Sequence, residues 1–492
     1  MSVENLEPKE CFKWFAEISR IPRGSHHEKQ ASDWLTKFAH DRGLTVKQDK
    51  ALNVLIKKPG QHGLEKAPAV ILQGHMDIVW VKEDGYDFDF TKEGIKIVVD
   101  GDAVRADRTT LGADNGIALS FILALLDSKD IPHPPLEAVI TTEEEVGMGG
   151  AEAFDIKDIS ASCYINIDSE DEGIFCVSCA GGRRSRIELP LEKTAVPDPT
   201  YAFYTLSVGG LMGGHSGMDI HRQRGNSNRI LGRVLEALAE KFDIYLVSLT
   251  GGSASNVIPA DSKAVIATNA AAADLDAELA RWTAIMKNEL KASDGAGLKI
   301  GLAGAEQSAS VLTKDVLKRA LFIMLLIPDG VVSMDLNMTE QSLVESSNNF
   351  ALMETTDTDI AFSCASRSSV GSKKAFIYDQ IRLVAEAAGA KITYSGDYPA
   401  WEYQPESKIR DLFAKTYKDL FGKDAVVEGI HAGLECGLFS EKFKAAGHPM
   451  EFIAFGPTIK GAHSTKETVS RSSVENMWKL LKEVLKRVGD MR

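Results

Sequence analysis

The sequence predicts an α/β fold, in which a mostly parallel β-sheet is flanked by helices. Short apolar runs at 69–72, 136–142 and 163–167 contain β-branched residues and have the length of buried strands. Segments 8–42 and 111–127 carry apolar residues at helical spacing and alternate with these runs. Because strands that alternate with helices form parallel sheets covered on both faces, the order of elements indicates an α/β domain.

A second α/β domain, residues 183–397, is predicted to be inserted into the first. Its elements fall into two successive sets: helices near 226–241 and 273–292 with strands near 204–208 and 244–247, then helices near 313–325 and 373–388 with strands near 330–336 and 360–365. No strict sequence repeat accompanies the two sets, but their similar order indicates an inserted domain of two similar halves.

The first domain is predicted to comprise residues 1–182 and 398–492, from both ends of the chain. A helix at 408–421 and a strand at 451–455 follow the insert, and a last helix closes the chain. That helix carries an apolar stripe typical of packing against a core, formed by Val474, Met477, Leu480, Leu481, Val484 and Leu485.

Composition and charge argue against several classes of function. The chain has 492 residues, of which 44% are hydrophobic and 26% charged, as in soluble globular proteins. Its net charge of −14 and the lack of a basic stretch argue against nucleic acid or an anionic membrane as a partner. The first residues lack the features of a signal peptide, and no apolar run approaches the roughly 20 residues of a membrane span.

The six cysteines are scattered along the chain, which is typical of free thiols, so we expect a cytoplasmic protein. Cys176 and Cys179 form a single Cys-x-x-Cys motif. A zinc ribbon would need a second such pair, which the sequence lacks. We therefore expect neither a structural zinc ion nor a redox function at this motif.

His75 and Asp77 follow the first apolar run, at the expected carboxyl end of a strand. Open α/β sheets bind their ligands at that edge. A histidine with an aspartate two residues later suits a metal site, because the ring binds the ion and the carboxylate fixes the tautomer of the ring. Taken alone, a histidine at a strand end is more often a hydrogen-bonded structural residue.

Acidic residues recur at three further points. Asp114 lies in a glycine-flanked turn at a predicted helix start, where capping of the helix is the ordinary alternative. Glu143, Glu144 and Glu145 follow the second apolar run, and such adjacent carboxylates repel one another unless a cation lies nearby. Asp168 follows the third apolar run.

His463, in the glycine-bounded loop 461–464, adds a second imidazole. Strand ends at one edge of a sheet converge in space, so two histidines and three carboxylates are expected to meet there. These are too many ligands for one tetrahedral zinc ion, but they suit two ions that share a bridging carboxylate. Nitrogen and oxygen ligands without thiolate favour Zn²⁺, with Mn²⁺ or Co²⁺ as alternatives.

Together these motifs resemble those of the dinuclear-zinc metallopeptidases of the aminoacylase/carboxypeptidase type. The resemblance rests on Gly74–Asp77, Asp114–Gly116, Glu144–Gly147, Asp168 and His463, in that order along the chain. Within that family the chain resembles the aminoacyl-histidine dipeptidases, the cytosol non-specific or peptidase D type, over nearly its whole length. The resemblance implies a metal-dependent dipeptidase that hydrolyses unblocked dipeptides, including Xaa-His types such as carnosine.

The same resemblance implies the residues of the metal site. Each of two ions has three ligands, one of them shared: His75, Asp114 and Asp168 for the first ion, and Asp114, Glu145 and His463 for the second. Asp77 is implied to stand behind His75 and to orient its ring. The family often has a cis peptide bond after the bridging aspartate, which here would join Asp114 and Asn115.

Glu144 is the implied general base, which takes a proton from a water molecule activated by the two ions and passes it to the leaving amine. Glu143 is the competing candidate. The pair Glu144–Glu145 is favoured because the pair in the family is followed by one residue and then glycine, as Val146 and Gly147 follow here.

The inserted domain matches the lid of the family. His215 corresponds to the lid histidine that stabilises the oxyanion of the tetrahedral intermediate. Asn256 and Arg367 match lid residues that grip the carboxylate of the substrate, although a surface ion pair is an even alternative for Arg367. Gly433 is implied in the substrate pocket, and Glu435 in contact with the free amine of the substrate.

Two other functions are compatible with parts of this pattern. An N-acyl-amino-acid deacylase or a carboxypeptidase would use the same scaffold, but the long doubled insert and the segment 431–437 favour the dipeptidases. A catalytically silent binding protein would be expected to lack a ligand or the base, and all are present. The family often forms homodimers, but a doubled lid can replace the contribution of the partner within one chain.

Overall fold

The computed structural model describes residues 3–338 and 342–490, and the chain folds into two compact units. The first unit comprises Met1–Ser178, Tyr403–Gly429 and Leu434–Arg492, and the second comprises Cys179–Glu402 and Ile430–Gly433. The chain therefore leaves the first unit, forms most of the second and returns. Residues 179–182, 398–402 and 430–433, predicted as part of the first domain, belong to the second unit.

The helices are numbered in order along the chain: α1 Lys9–Ser19, α2 Lys29–Asp41, α3 Ala113–Asp127, α4 Gly149–Ala153, α5 Ser227–Lys241, α6 Ala272–Glu289, α7 Lys314–Leu326, α8 Gly371–Ala387, α9 Lys408–Phe421, α10 Glu435–Ala445 and α11 Arg471–Arg487. The segment 8–42, predicted as helical throughout, forms two helices instead. Pro22 follows closely after α1, and a proline disfavours the helical conformation of the residue before it.

The strands are numbered in the same way: β1 Thr45–Gln48, β2 Val54–Lys58, β3 Val70–His75, β4 Ile97–Asp100, β5 Ala103–Ala106, β6 Leu136–Thr141, β7 Cys163–Asn166, β8 Ile174–Cys179, β9 Gly181–Pro190, β10 Lys193–Ala195, β11 Ala202–Gly209, β12 Ile244–Gly251, β13 Ser262–Thr268, β14 Lys299–Gly304, β15 Ser310–Leu312, β16 Gly330–Met334, β17 Val344–Thr355, β18 Asp359–Ser368, β19 Lys391–Tyr398, β20 Val426–Ile430, β21 Glu451–Ala454, β22 Ile459–Lys460 and β23 Thr468–Ser470.

The main sheet of the first unit has the strand order β1-β2-β6-β3-β7-β21-β8-β20. Its central strands β6, β3, β7 and β21 are parallel neighbours. Antiparallel pairs extend this centre, through β2 on one side and β8 on the other. The predicted α/β class is confirmed, with a mixed sheet around a parallel centre. Parallel neighbours end at the same edge, so the segments that follow β3, β6 and β7 meet there.

Helix α3 is the buried helix of the first unit and packs against β3 and α1. Almost all of its side chains are buried, as expected for a helix that is apolar on every side. Its first residues therefore lie at a fixed position near the end of β3. Helix α11 packs against α9, and all six residues of its predicted apolar stripe are buried, which confirms the prediction.

A small antiparallel sheet completes the first unit, with the strand order β22-β23-β5-β4. Strands β22 and β23 pair through Ile459 with Val469 and Lys460 with Thr468. The loop between them, 461–467, is thus held at both ends, and it contains His463.

The second unit is built around one sheet with the order β14-β11-β13-β12-β17-β18-β9-β19, and β16 also pairs with β17. Two four-stranded halves meet at β12 and β17, where Thr250 pairs with Glu354 and Gly251 with Met353. In each half the chain runs helix–strand–strand–helix–strand, from α5 to β14 and, apart from the added β16, from α7 to β19. The prediction of two similar halves is confirmed.

Within residues 3–338 and 342–490, no helix combines the length and the apolar character needed to cross a membrane. The six cysteines are buried and form no disulfide within this part of the chain. Cys176 and Cys179 both lie in β8 and belong to none of the metal-capable side-chain groups found among the described residues.

Candidate metal centre

The parallel centre of the main sheet places the predicted ligands of the first unit at one edge. Strand β3 ends at His75, which lies opposite Thr141, the last residue of β6. Glu144 and Glu145 follow in the turn after β6, and Asp168 lies two residues beyond the end of β7. Tertiary structure thus gathers side chains from three separate parts of the sequence.

Three groups of side chains could hold a metal ion among the residues that the structure describes, each with ligand atoms within 4.8 Å of one another. They are His75 with Asp114 and Asp168, Asp114 with Glu145 and His463, and His75 with Glu144 and Glu145. The first two groups have the composition predicted for two ions, and they share Asp114.

The carboxylate of Asp114 lies between the two imidazoles. Its Oδ1 is 3.1 Å from Nε2 of His75, and its Oδ2 is 3.1 Å from Nε2 of His463. Nε2 of His463 is also 2.9 Å from Oε2 of Glu145. Two ligand atoms on one tetrahedral zinc ion, at about 2.0–2.1 Å from it, would lie about 3.3 Å apart. The ligand atoms around each of the two histidines are spaced at nearly this distance. The spacing therefore fits one ion beside His75 and another beside His463, with Asp114 shared.

A buried oxygen without a partner supports the same conclusion. Oε1 of Glu145 is buried and has no hydrogen-bond partner among the residues that the structure describes. A buried carboxylate oxygen without a donor is costly, and a cation is the usual way to satisfy it. The donor set of imidazole nitrogen and carboxylate oxygen suits zinc and related divalent ions.

Asp77 orients the ring of His75 and also anchors the glutamates. Nδ1 of His75 donates to the backbone carbonyl of Asp77 at 3.0 Å, so Nε2 is the atom that faces Asp114. The side chain of Asp77 accepts hydrogen bonds from the backbone N–H groups of Glu144 (3.1 Å) and Glu145 (3.2 Å). The backbone carbonyl of Asp77 thus orients the histidine, and its buried carboxylate fixes the backbone of both acids.

The three adjacent glutamates point in different directions. Oε1 of Glu143 lies 3.1 Å from Nδ1 of His26, and Glu143 belongs to none of the metal-capable groups of the described chain. Oε2 of Glu144 is 4.0 Å from Nε2 of His75. Glu145 faces His463. The side chain of Glu143 therefore makes a surface contact, that of Glu144 lies at the centre of the site, and that of Glu145 lies at a predicted ligand position.

Burial and close charges shift the pKa values of these groups. Burial raises the pKa of Asp168 to about 6, against the opposing effect of His75. The pKa of Glu144 is also well above its usual value, chiefly because the side chain is buried. Contacts with Asp114 and Glu145 raise the pKa of His463 to about 11. Because metal ligands must be deprotonated, a divalent ion that bound these imidazoles and carboxylates would displace their protons.

The structure adds residues that the sequence did not indicate. Nδ2 of Asn115 donates to Oδ1 of Asp168 at 2.6 Å and to the carbonyl of Ile167 at 2.7 Å, and the Asp114–Asn115 peptide bond is cis. Asn115 therefore orients a predicted ligand, and its place next to Asp114 was the only sign of this in the sequence. Arg23 and Glu467 support the same region through backbone groups.

The predicted lid residues His215, Asn256 and Arg367 lie in the second unit, and so does Gly433, which was predicted in the substrate pocket. Nδ1 of His215 accepts hydrogen bonds from the backbone N–H groups of Gly217 (3.2 Å) and Met218 (3.1 Å). Burial, followed by the charge of Arg367, lowers its pKa. The neutral ring consequently carries its proton on Nε2, as a donor.

Asn256 is joined to the turn of His215 through the backbone. The N–H of Ser216 donates to the carbonyl of Asn256 at 2.8 Å, and His215 and Val257 form an isolated β-bridge. The side chain of Asn256 is exposed. His215 and Asn256 are therefore neighbours, held by the same backbone hydrogen bonds between the two segments.

Among the described residues Arg367 forms no ion pair and its buried Nε has no hydrogen-bond partner, while its Nη1 donates to the hydroxyl of Tyr398 at 2.8 Å. Burial, with a further contribution from Arg367, lowers the pKa of His431 to about 3. Oγ of Ser347 lies 2.7 Å from Nε2 of His431. An arginine near neutral histidines and without a counter-ion of its own suits the binding of an anion.

Glu435 lies in the first unit and is fully buried. Its Oε2 accepts a hydrogen bond from Oγ1 of Thr141 at 2.8 Å and another from Nε2 of Gln73. Burial raises its pKa to about 8, against the opposing effect of His75. This position does not favour direct contact with the amine of a substrate.

Known proteins resemble the chain over its whole length. A family model described as Peptidase family M20/M25/M40 matches residues 71–487. The cytosol non-specific dipeptidase of Escherichia coli (strain K12) is 37% identical over 489 residues, which cover 99% of this chain and 99% of that protein.

Solved structures give the same result for the fold. The aminoacylhistidine dipeptidase of Vibrio alginolyticus matches with a TM-score of 0.92 and 34% identity, covering 99% of this chain and 98% of that one. The aminopeptidase PepT of Bacillus cereus matches with a TM-score of 0.56 and 14% identity, covering 98% of this chain and 99% of that one. At this low identity, the second match concerns the fold alone.

We expect Zn²⁺ to raise the thermal unfolding temperature of chelator-treated protein, because an ion that binds the folded state stabilises it by mass action. Asp114→Asn should remove most of this rise, since a neutral amide cannot serve as a shared anionic ligand. Glu143→Gln, which changes an acid that faces His26, should keep it. Equal zinc-induced rises in the wild type and in Asp114→Asn, measured by differential scanning calorimetry, would contradict a centre built on Asp114.

Proposed function

We propose that this chain, which belongs to peptidase family M20/M25/M40, is a metal-dependent dipeptidase that hydrolyses unblocked dipeptides, including Xaa-His types such as carnosine. One observation carries the proposal: two metal-capable groups that share Asp114 occur in a chain that matches a dipeptidase over its full length. The relatives named for dipeptidase activity are similar at 37% and 34% identity.

Two divalent ions would occupy the site, most simply Zn²⁺, with Co²⁺ or Mn²⁺ as alternatives. The ligands that would hold them are His75, Asp114 and Asp168 for one ion and Asp114, Glu145 and His463 for the other. When bound, such ions polarise a peptide carbonyl and lower the pKa of a water molecule.

Glu144 is proposed as the general base. Its carboxylate lies at the centre of the site, 4.0 Å from Nε2 of His75, and its backbone is held by Asp77. Burial raises the pKa of Glu144, which makes its carboxylate a stronger proton acceptor than that of an exposed glutamate. The proton taken from water would then pass to the departing amine nitrogen, which leaves Glu144 ionised for the next cycle.

The second unit is proposed to recognise the substrate. His215, with its proton on Nε2, would donate to the developing oxyanion. Asn256 and Arg367 would bind the carboxylate of the dipeptide, and Gly433 would line the pocket. The absence of an ion-pair partner for Arg367 in the described part of the chain favours this function over a structural ion pair.

We further propose a cytoplasmic location, because the similar E. coli protein is named a cytosol dipeptidase. A homodimer remains part of the proposal as an alternative to the monomer. The fold of the second unit, with two similar halves, supports the monomer, because a doubled insert can replace the contribution of a partner within one chain.

The competing functions are those of other proteins built on the same scaffold. A deacylase or a carboxypeptidase would use the same centre, and the match to dipeptidases over 99% of the chain supports the dipeptidase. A silent binding protein is less well supported, because every predicted ligand and Glu144 lie together in the structure.

Glu144→Gln should retain both ions but lower kcat about 10²–10⁴-fold, because the amide cannot accept the proton. Retention of metal tests a second point, since Glu144 also belongs to a metal-capable group with His75 and Glu145. Steady-state kinetics with metal analysis would separate the base from a ligand. The matched control, Glu143→Gln, should keep nearly normal turnover, and unchanged turnover in Glu144→Gln would rule out Glu144 as the base.

Arg367→Lys should raise KM for a free dipeptide roughly 10–100-fold, because lysine cannot form the two parallel bonds of a guanidinium and the loss is about 1.5–3 kcal/mol. The corresponding dipeptide amide, which lacks the carboxylate, should be affected much less. Arg186→Lys is the control, since Arg186 lies on the adjacent strand β9 and pairs with Glu188. Equal effects of Arg367→Lys on both substrates would argue against carboxylate recognition.

A substrate panel tests the proposed function as a whole. Leu-His and carnosine should be hydrolysed more efficiently, by kcat/KM, than an N-acetylated amino acid or a tripeptide, in protein reconstituted with Zn²⁺. Chelation should abolish the activity. Preference for the acetylated compound would instead support the deacylase.

A further inference from the structure

Glu467 makes an unusual set of contacts at the start of α3. Its Oε2 accepts hydrogen bonds from the backbone N–H groups of Leu111 (2.7 Å) and Gly112 (2.9 Å). Its Oε1 accepts hydrogen bonds from the N–H groups of Ala113 (2.8 Å) and Asp114 (3.2 Å). One carboxylate thus binds four consecutive N–H groups, and it is only 2% exposed.

These contacts fix the backbone that carries Asp114. The first N–H groups of a helix have no partners within the helix, and an anion is stabilised there by the helix dipole. Gly112, the residue before α3, is left-handed, with φ +68°, so the chain bends sharply just before Asp114. The carboxylate of Glu467 holds this bend and thereby the position of the shared ligand.

The same residue holds the loop of the second histidine. The N–H of Glu467 donates to the carbonyl of Ser464 at 3.2 Å, and Oγ of Ser464 donates to the carbonyl of Gly461 at 2.6 Å. His463 lies inside this closed turn with φ +61°, and its side chain is 52% exposed. Because half of the side chain faces solvent, its position depends on the turn together with its contacts to Asp114 and Glu145.

A buried arginine supports the other side of the bend. Nη1 of Arg23 donates to the carbonyl of Met76 at 2.9 Å, and Nη2 donates to the carbonyl of Gly112 at 2.8 Å. Arg23 is 1% exposed. It ties the segment that follows His75 to the bend that Glu467 holds. The two charges therefore link the supports of His75, Asp114 and His463.

We propose that Glu467 is a positioning residue that holds Asp114 and His463 at the separation needed for two ions to bind as a pair. The inference rests on the proposed dinuclear site and adds a residue outside the ligand set. Glu467 acts through the backbone. It lies four residues after His463 in the sequence, and its carboxylate binds the backbone N–H of Asp114. It is expected to affect the ion held by Asp114, Glu145 and His463 most.

Glu467→Gln tests this proposal with little change in size. An amide has one oxygen and one NH₂ group, so two of the four backbone N–H groups would face another donor. The bend and the turn should then shift relative to each other. We expect the affinity for the second Zn²⁺ to fall about 10–100-fold, the range typical when a residue that orients metal ligands is lost.

Glu137→Gln is the matched control. Glu137 is also a 2% exposed carboxylate of the first unit that accepts backbone N–H groups, from Ser160 and Ala161. It lies at the opposite end of β6, four residues before Thr141. This variant should lose stability but keep both zinc affinities, which separates positioning of the metal site from a general effect on folding.

The experiment is isothermal titration of chelator-treated protein with Zn²⁺, followed by the visible spectrum of Co²⁺-loaded protein, for the wild type and both variants. The proposal predicts two ions in the wild type and in Glu137→Gln, and a weakened second ion with an altered Co²⁺ spectrum in Glu467→Gln. Glu467→Asp, which keeps the charge, should recover part of the second affinity.

Three results would overturn the proposal in distinguishable ways. Two ions of wild-type affinity in Glu467→Gln would reject the positioning function of Glu467 and leave the proposed dipeptidase intact. Failure of the wild type itself to bind two ions would reject the dinuclear site and, with it, the proposed function. Equal losses of zinc affinity in Glu467→Gln and Glu137→Gln would show that the loss comes from lower folding stability alone, and would also reject the proposal.

Discussion

The concentration of carboxylates at one edge of the main sheet is the constraint on which the site depends. Asp114, Glu144, Glu145 and Asp168 lie together with only two imidazoles between them, in a partly buried position. Like charges in such a place repel strongly, and the raised pKa values of Asp168 and Glu144 reflect that burial. Divalent cations remove this repulsion, and the shared position of Asp114 makes a pair of cations the simplest arrangement.

The fold makes this concentration of charge possible. Parallel strands β3, β6 and β7 end at the same edge, and the buried helix α3 delivers Asp114 to it. Asp77 then fixes the turn that carries both acids by accepting the backbone N–H groups of Glu144 and Glu145. The strands and helix α3 fix the positions of the side chains in the site, and hydrogen bonds to backbone groups fix their orientations, as a preorganised site requires.

The grouping of these side chains could be predicted because most of them directly follow apolar runs, or lie in a glycine-flanked turn, that are visible in the sequence. The supports could not: Glu467 binds N–H groups more than 350 positions earlier, and such contacts with the backbone leave no pattern of residue types. The break between α1 and α2 was missed although Pro22 marks it, because apolar spacing continues on both sides. The buried state of Glu435 depends on packing, which local sequence does not reveal.

The central claim is that Asp114 lies between two divalent ions. X-ray diffraction from crystals grown with Zn²⁺, recorded on both sides of the zinc absorption edge, locates such ions directly. We predict two anomalous peaks, one among His75, Asp114 and Asp168 and the other among Asp114, Glu145 and His463. A map with no anomalous peak beside the Asp114 carboxylate, from crystals whose solution contains excess zinc, would contradict the account.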